Sequence, residues 1–177
     1  PDQVVDLLNR VFSHFDSLLE KYGPEKIRTI GDNYMVASGV PRPCATHAQT
    51  LAAMALDMHR YAASVELGGG RTLALRIGIN SGPVVAGVIG RRKFQYDVWG
   101  DAVNAASRME SHGVPAGTQI TRATYDLVRE AFLREPRGRI EVKGMGKIRT
   151  SFLIDRSAGR PAEDRYGADD RRPGTGG

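Results

Sequence analysis

The spacing of apolar residues switches from helical to extended and back again along this chain, and that alternation limits the fold more than any single motif. Val4, Leu8, Val11, Phe15, Leu18 and Tyr22 recur at three- and four-residue intervals, which predicts an amphipathic helix closed by Gly23-Pro24. Over residues 26–39 the spacing shortens to that of strands: Ile27 and Ile30 lie in one run, and Tyr34, Val36 and Ser38 along one face of a second. Gly31-Asp32-Asn33 between them is a turn sequence, so the pair reads as a β-hairpin with a carboxylate at its tip. Ala48, Leu51, Ala52, Ala55 and Met58 restore helical spacing until Gly68-Gly69-Gly70 breaks it.

Farther along, residues 73–79 and 84–89 read as buried strands and 101–109 as a helix starting after Gly100. A strand at Gln119 and Ile120, a helix over 121–131 and a closing pair of strands over 138–143 and 148–154 complete the pattern. The order predicts an α/β fold, an α+β sandwich of split βαβ type, with helices on one face of a mainly antiparallel sheet. A chain of 177 residues suits one such domain, placed at 1–156. The Gly-, Pro-, Arg- and Asp-rich stretch 157–177 has almost nothing to bury and reads as a disordered tail.

Composition narrows the function. The single cysteine, Cys44, excludes an internal disulfide framework and fits a reducing, cytoplasmic setting. No apolar run approaches the roughly 20 residues that cross a bilayer. The formal charge of +5 suits an anionic partner without choosing among nucleic acid, lipid and nucleotide.

The informative stretch runs over 82–108: Gly82-Pro83-Val84-Val85-Ala86-Gly87-Val88-Ile89-Gly90, then the basic Arg91-Arg92-Lys93, then Tyr96-Asp97-Val98-Trp99-Gly100-Asp101-Ala102-Val103-Asn104-Ala105-Ala106-Ser107-Arg108. With Lys26-Ile27-Arg28-Thr29-Ile30-Gly31-Asp32 and Val142-Lys143-Gly144, it closely resembles the class III nucleotidyl cyclase catalytic domain, nearest to the bacterial membrane-anchored adenylyl cyclases. The likeness covers nearly all of 1–156 and implies a ferredoxin-like cyclase fold. Such an enzyme directs the ribose 3′-hydroxyl at the α-phosphorus while pyrophosphate leaves, which calls for a divalent-ion clamp, a ribose holder and a cation for the developing charge.

The resemblance implies each role residue by residue. Asp32 matches the second of two metal-binding aspartates, a hard oxygen ligand for Mg²⁺ or Mn²⁺, two ions per complete site. Asn104 would position the ribose and Arg108 stabilise charge on the α-phosphate; four residues apart on a helix, they share one face. Lys143 matches a lysine that contacts the outgoing phosphates. Taken singly, each has a plainer reading, as a turn aspartate, helix-surface residues or a solvated lysine.

Base choice falls to Arg28 and Asp97, which stand where adenylyl cyclases carry lysine and aspartate and guanylyl cyclases carry glutamate and typically cysteine. Asp97 can accept from the adenine amino group and Arg28 can donate to a ring nitrogen, so the pair favours ATP. Arginine departs from the family's lysine, which keeps GTP or dual use open. Lys26 and Arg28 alternating on a solvent face of the strand is the competing reading of Arg28. Val98 and Trp99 are candidates to wall the base pocket, with core packing the better reading of Tyr96 and Trp99. Asp101 reads as a cap or buried partner, and the four histidines show no metal-ligand spacing.

The family's first metal aspartate lies on a strand before the opening helix, and no such stretch precedes Pro1. The expectation is a domain lacking its first strand, with little activity in this form. In the family, the metal aspartates and one base-reading residue come from one protomer and Asn, Arg and the other base-reading residue from its partner, which implies a head-to-tail homodimer. Resemblance also implies a membrane anchor upstream. A non-catalytic, nucleotide-binding regulatory domain is a rival of another class. A nucleic-acid module is not expected, because no exposed aromatics are interleaved with the basic residues.

Overall fold

Helix α1 (Asp2–Tyr22) buries Val11, Phe15 and Leu18 of the predicted stripe against Met54 of helix α2 (His47–Ser64), whereas Val4 at its start is exposed. Burying a side chain such as Phe15 contributes about 1.5–3 kcal/mol. The structure, a computed structural model, describes residues 2–157, and the expected tail lies outside the described residues except for Ser157. Strands β1 (Glu25–Ile30) and β2 (Asn33–Ala37) pair antiparallel about Gly31-Asp32, and Tyr34 and Val36 pack on the α1 cluster. The glycine triplet does more than end a helix: β3 (Glu66–Gly68) and β4 (Arg71–Thr72) pair across it.

The rest of the chain runs β5 (Arg76–Ile79), β6 (Val85–Ile89), β7 (Gln95–Trp99), α3 (Asp101–Ser111), β8 (Gly117–Thr121), α4 (Arg122–Val128), β9 (Phe132–Val142) and β10 (Gly146–Arg156). The main sheet has the order β5-β8-β10-β9, parallel between β5 and β8 and antiparallel elsewhere, which is the mixed, antiparallel-dominated arrangement expected. Thr121 caps α4, its hydroxyl accepting from the Thr124 N–H.

Alternation along β5 and β8 assigns the helices to faces. Ile77, Ile79 and Ile120 join the cluster built by Ala48, Ala52 and Ala55 of α2. Gly78, between the two isoleucines, faces α3 so closely that an added Cβ would lie 2.1 Å from the Glu110 backbone nitrogen. Thr118 likewise reaches His59 of α2, whereas Gln119 reaches α3. The helices therefore divide between the two faces, where the pattern predicted one. Periodicity reveals that a helix has a buried stripe, not which side of a sheet receives it.

Two strand expectations also change. Of residues 73–79 only the last four are sheet. Residues 84–89 were expected to be buried, but β6 pairs only with β7 in a separate hairpin, leaving Val85, Val88 and Ile89 at 69%, 60% and 54% exposure. Among the described residues no helix is long and apolar enough to cross a membrane.

Candidate active site

The β1–β2 hairpin is held to α1 by one carboxylate. Asp16 Oδ1 accepts from the Tyr34 hydroxyl at 2.6 Å and from Lys26 Nζ at 2.9 Å. The Tyr34 bond, helped by Lys26, holds Asp16 below the usual carboxylate range despite some desolvation. Burial and the adjacent Asp16 push the Tyr34 phenol up. Sequence reading missed this latch, since nothing in the spacing of residues 16, 26 and 34 links them.

A second contact joins the hairpin to β7. Arg28 Nη1 lies 2.7 Å from Asp97 Oδ2, and Asp97 Oδ1 accepts the Val98 N–H at 2.8 Å. Ladder register explains the reach. Lys26 pairs with Val36 and Arg28 with Met35, so Ile27 is an extra, bulged residue and is buried. Lys26 and Arg28, 37% and 34% exposed on either side of the buried Ile27, keep much of the solvent exposure that the plainer reading expects, but each is committed to a different carboxylate. The expected division of the base-reading residues between protomers fails as well: Arg28 and Asp97 meet on one chain.

The remaining candidates lie at two turns and on α3. Asp32 is exposed at the hairpin tip, Asn104 is exposed on α3, Arg108 is half-buried one turn later, and Lys143 is exposed at the β9–β10 turn. Among the described residues their side chains make no hydrogen bond or ion pair, which leaves all four available to a ligand. Two concavities of about 420 and 570 Å³ lie elsewhere, and neither is lined by any of these residues. Val98 is 2% exposed, so its side chain is core and not pocket wall, whereas Trp99, expected in the core, is 37% exposed. Asp101 is exposed in the first turn of α3 with no capping bond, and Gly100 is the N-cap. A carboxylate there still suits the helix dipole.

The Adenylate and Guanylate cyclase catalytic domain matches residues 1–155. An adenylate cyclase of Mycobacterium tuberculosis is 49% identical over 174 residues, 98% of this chain and 39% of that protein. The rat soluble guanylate cyclase subunit beta-2 is 42% identical over 183 residues, 98% of this chain and 27% of that protein. The chain thus spans well under half the length of these relatives. Among solved structures, the catalytic core of a rhodopsin-guanylyl cyclase with converted specificity, in complex with ATPalphaS, superposes with a TM-score of 0.82 at 35% identity, covering 88% of this chain and 85% of the other. With residues 1–155 matched by that family, the chain belongs to the adenylate and guanylate cyclase catalytic domain family.

Proposed function

We propose that this domain converts ATP to 3′,5′-cyclic AMP and pyrophosphate at sites completed by a second copy of itself, in a head-to-tail homodimer. The observation that bears on base choice is the Arg28–Asp97 pair, a cationic donor and an anionic acceptor side by side, standing where adenylyl cyclases carry lysine and aspartate; the 49% identity to an adenylate cyclase supports ATP. Adenine offers an amino donor and a ring-nitrogen acceptor on the edge such a pair would read. The same pair could donate to a guanine carbonyl and accept from its N–H, so dual specificity is the second reading, and the 42% identity to a guanylate cyclase subunit favours keeping it.

Asn104 holds the ribose, and Arg108, one helical turn on, stabilises charge on the α-phosphate; a donor of this kind contributes about 2.7–4 kcal/mol to the transition state. Lys143 draws the pyrophosphate away. For a divalent cation this chain fits in part: Asp32 is an uncommitted hard-oxygen ligand, but no group of three His, Cys, Asp or Glu among the described residues could hold an ion. Asp32 would therefore hold Mg²⁺ or Mn²⁺ together with phosphate oxygens and groups beyond this set, and the ion would supply charge neutralisation of the triphosphate. Support for the second copy comes from the placement of the candidates on separate elements and from the β6–β7 hairpin, whose Val85, Val88, Ile89 and neighbouring Phe94 are exposed large apolar side chains.

The test is cyclic nucleotide formation from ATP and GTP in competition, with Mg²⁺ and with Mn²⁺, in the protein as its gene encodes it and in its Arg108→Ala variant. Cyclic AMP in excess, lost in the variant without loss of fold, supports the reading. Bound nucleotide with no product would support the regulatory domain instead.

A further inference from the structure

The last turn of α3 leaves carbonyls that no intrahelical N–H reaches. Two side chains of the sheet take them. Gln119, wholly buried in β8, donates from Nε2 to Met109 O at 3.1 Å. Arg137 Nη1 donates both to His112 O and to Gln119 Oε1, and the Thr150 hydroxyl donates to the same Gln119 oxygen at 3.3 Å. With Oε1 so engaged, the Gln119 amide is fixed with its NH₂ toward the helix. His112 caps α3 and returns its N–H to Arg108 O at 3.0 Å, so the turn that Arg137 grips is the turn that carries Arg108. A guanidinium at a helix C-terminus is also favoured by the partial negative charge there.

Strand β9 is bent to deliver this arginine. In its ladder with β10, Pro136 pairs with Ser151 and Gly138 with Thr150, so Arg137 is the extra residue of a β-bulge. Gly138 has φ of 86°, a left-handed value that a side chain would strain. Pro136 has no N–H to give the ladder. The guanidinium lies 5.3 Å from the Phe152 ring, which limits where it can swing.

We propose that Arg137 is a positioning residue of the active site. Through His112 and Gln119 it sets the height and rotation of α3 on the sheet, and so the place at which Asn104 and Arg108 meet the nucleotide. The inference rests on the roles proposed above for those two residues.

The test uses Arg137→Lys, Arg137→Ala and Gly138→Ala; the last keeps every polar group and disturbs only the bulge. Three readouts are taken on each: kcat and KM for the nucleotide, thermal melting, and amide hydrogen exchange over residues 108–113. The expected result is a kcat lowered about 10- to 100-fold, as small displacements of reacting groups produce, with KM changed less than about threefold and faster exchange over 108–113. Should Arg137→Ala fail to fold, Arg137→Lys and Gly138→Ala carry the test. Folded variants with wild-type kcat, or with unchanged exchange over 108–113, overturn the proposal, as does a fall in kcat that only tracks the fraction unfolded. If the unaltered protein makes no cyclic nucleotide yet exchange accelerates in the variants, the grip on α3 stands and the catalytic reading falls.

Discussion

Asp97 engages both carboxylate oxygens within its own chain, one with Arg28 and one with the Val98 N–H, so under the proposed role a purine would meet an edge that is already ordered. Replacing that carboxylate by an amide exchanges one acceptor for a donor that faces Arg28. Asp97→Asn is expected to lower kcat/KM for ATP about 10- to 100-fold, the cost of an unmade bond to a charged group, and to bring the ATP/GTP ratio toward one; competition assays with the two substrates check it. His59 makes a second residue-scale prediction. Its Nε2 lies 2.8 Å from Thr118 Oγ1, and burial holds its pKa below the ordinary value. A depressed histidine pKa favours the neutral ring in the fold, so its contribution to stability is full above the unfolded pKa of about 6.5 and is lost as pH falls below it. His59→Gln, which keeps a partner for Thr118, should flatten the pH dependence of urea-derived stability on that acid side. Asp32, Asn104, Arg108 and Lys143 enter the proposed site because short motifs surround them in the sequence. The grip of Arg137 was not legible there, because a bulged residue leaves the alternation by which strands are read, and its partners lie in other elements.

Among the elements, the β6–β7 hairpin departs most from its sequence. An unbroken apolar run such as Val84-Val85-Ala86-Gly87-Val88-Ile89 states that water is to be excluded, but not whether the chain's own core or another molecule excludes it. Here the strand stands away from the main sheet, with residues exposed on both of its faces. By contrast α1 and α3 each bury one stripe, Val11, Phe15 and Leu18 in the first and Ala105 and Met109 in the second, while α2 serves two clusters, Ala48, Ala52, Ala53 and Ala55 in one and Met54 in the other. If the hairpin serves the second copy, a charge on it should damage assembly and not folding. Val88→Glu is expected to shift the protein from dimer to monomer in sedimentation and to reduce cyclase activity at least tenfold at micromolar protein, with a melting temperature close to wild type, because exposed substitutions usually stay within about 0.5 kcal/mol. A dimer unaffected by this change would remove β6 from the interface.

At the scale of the whole molecule, the proposed roles fall on separate elements of one chain. Asp32 sits on the hairpin tip beyond α1, while Asn104 and Arg108 sit on α3, which lies on the opposite face of the sheet from α2, and neither concavity described above brings them together. In the proposed homodimer a two-fold partner would solve this by symmetry: each site would take Asp32 from one protomer and Asn104 with Arg108 from the other, and the second site would repeat the exchange. That division can be read in solution. Asp32→Asn and Arg108→Ala proteins should each be nearly inactive alone. After mixing in equal amounts and exchange, half of the dimers pair one variant with the other; in each, one site gathers both defects and the other gathers none. Activity should then recover to about one quarter of wild type, the product of those two halves. Recovery near that fraction requires a shared site built from opposite protomers. A mixture as inactive as its components, with mixed dimers demonstrated by a tag on one partner, would place Asp32 and Arg108 in the same site on a single chain and end the composite reading.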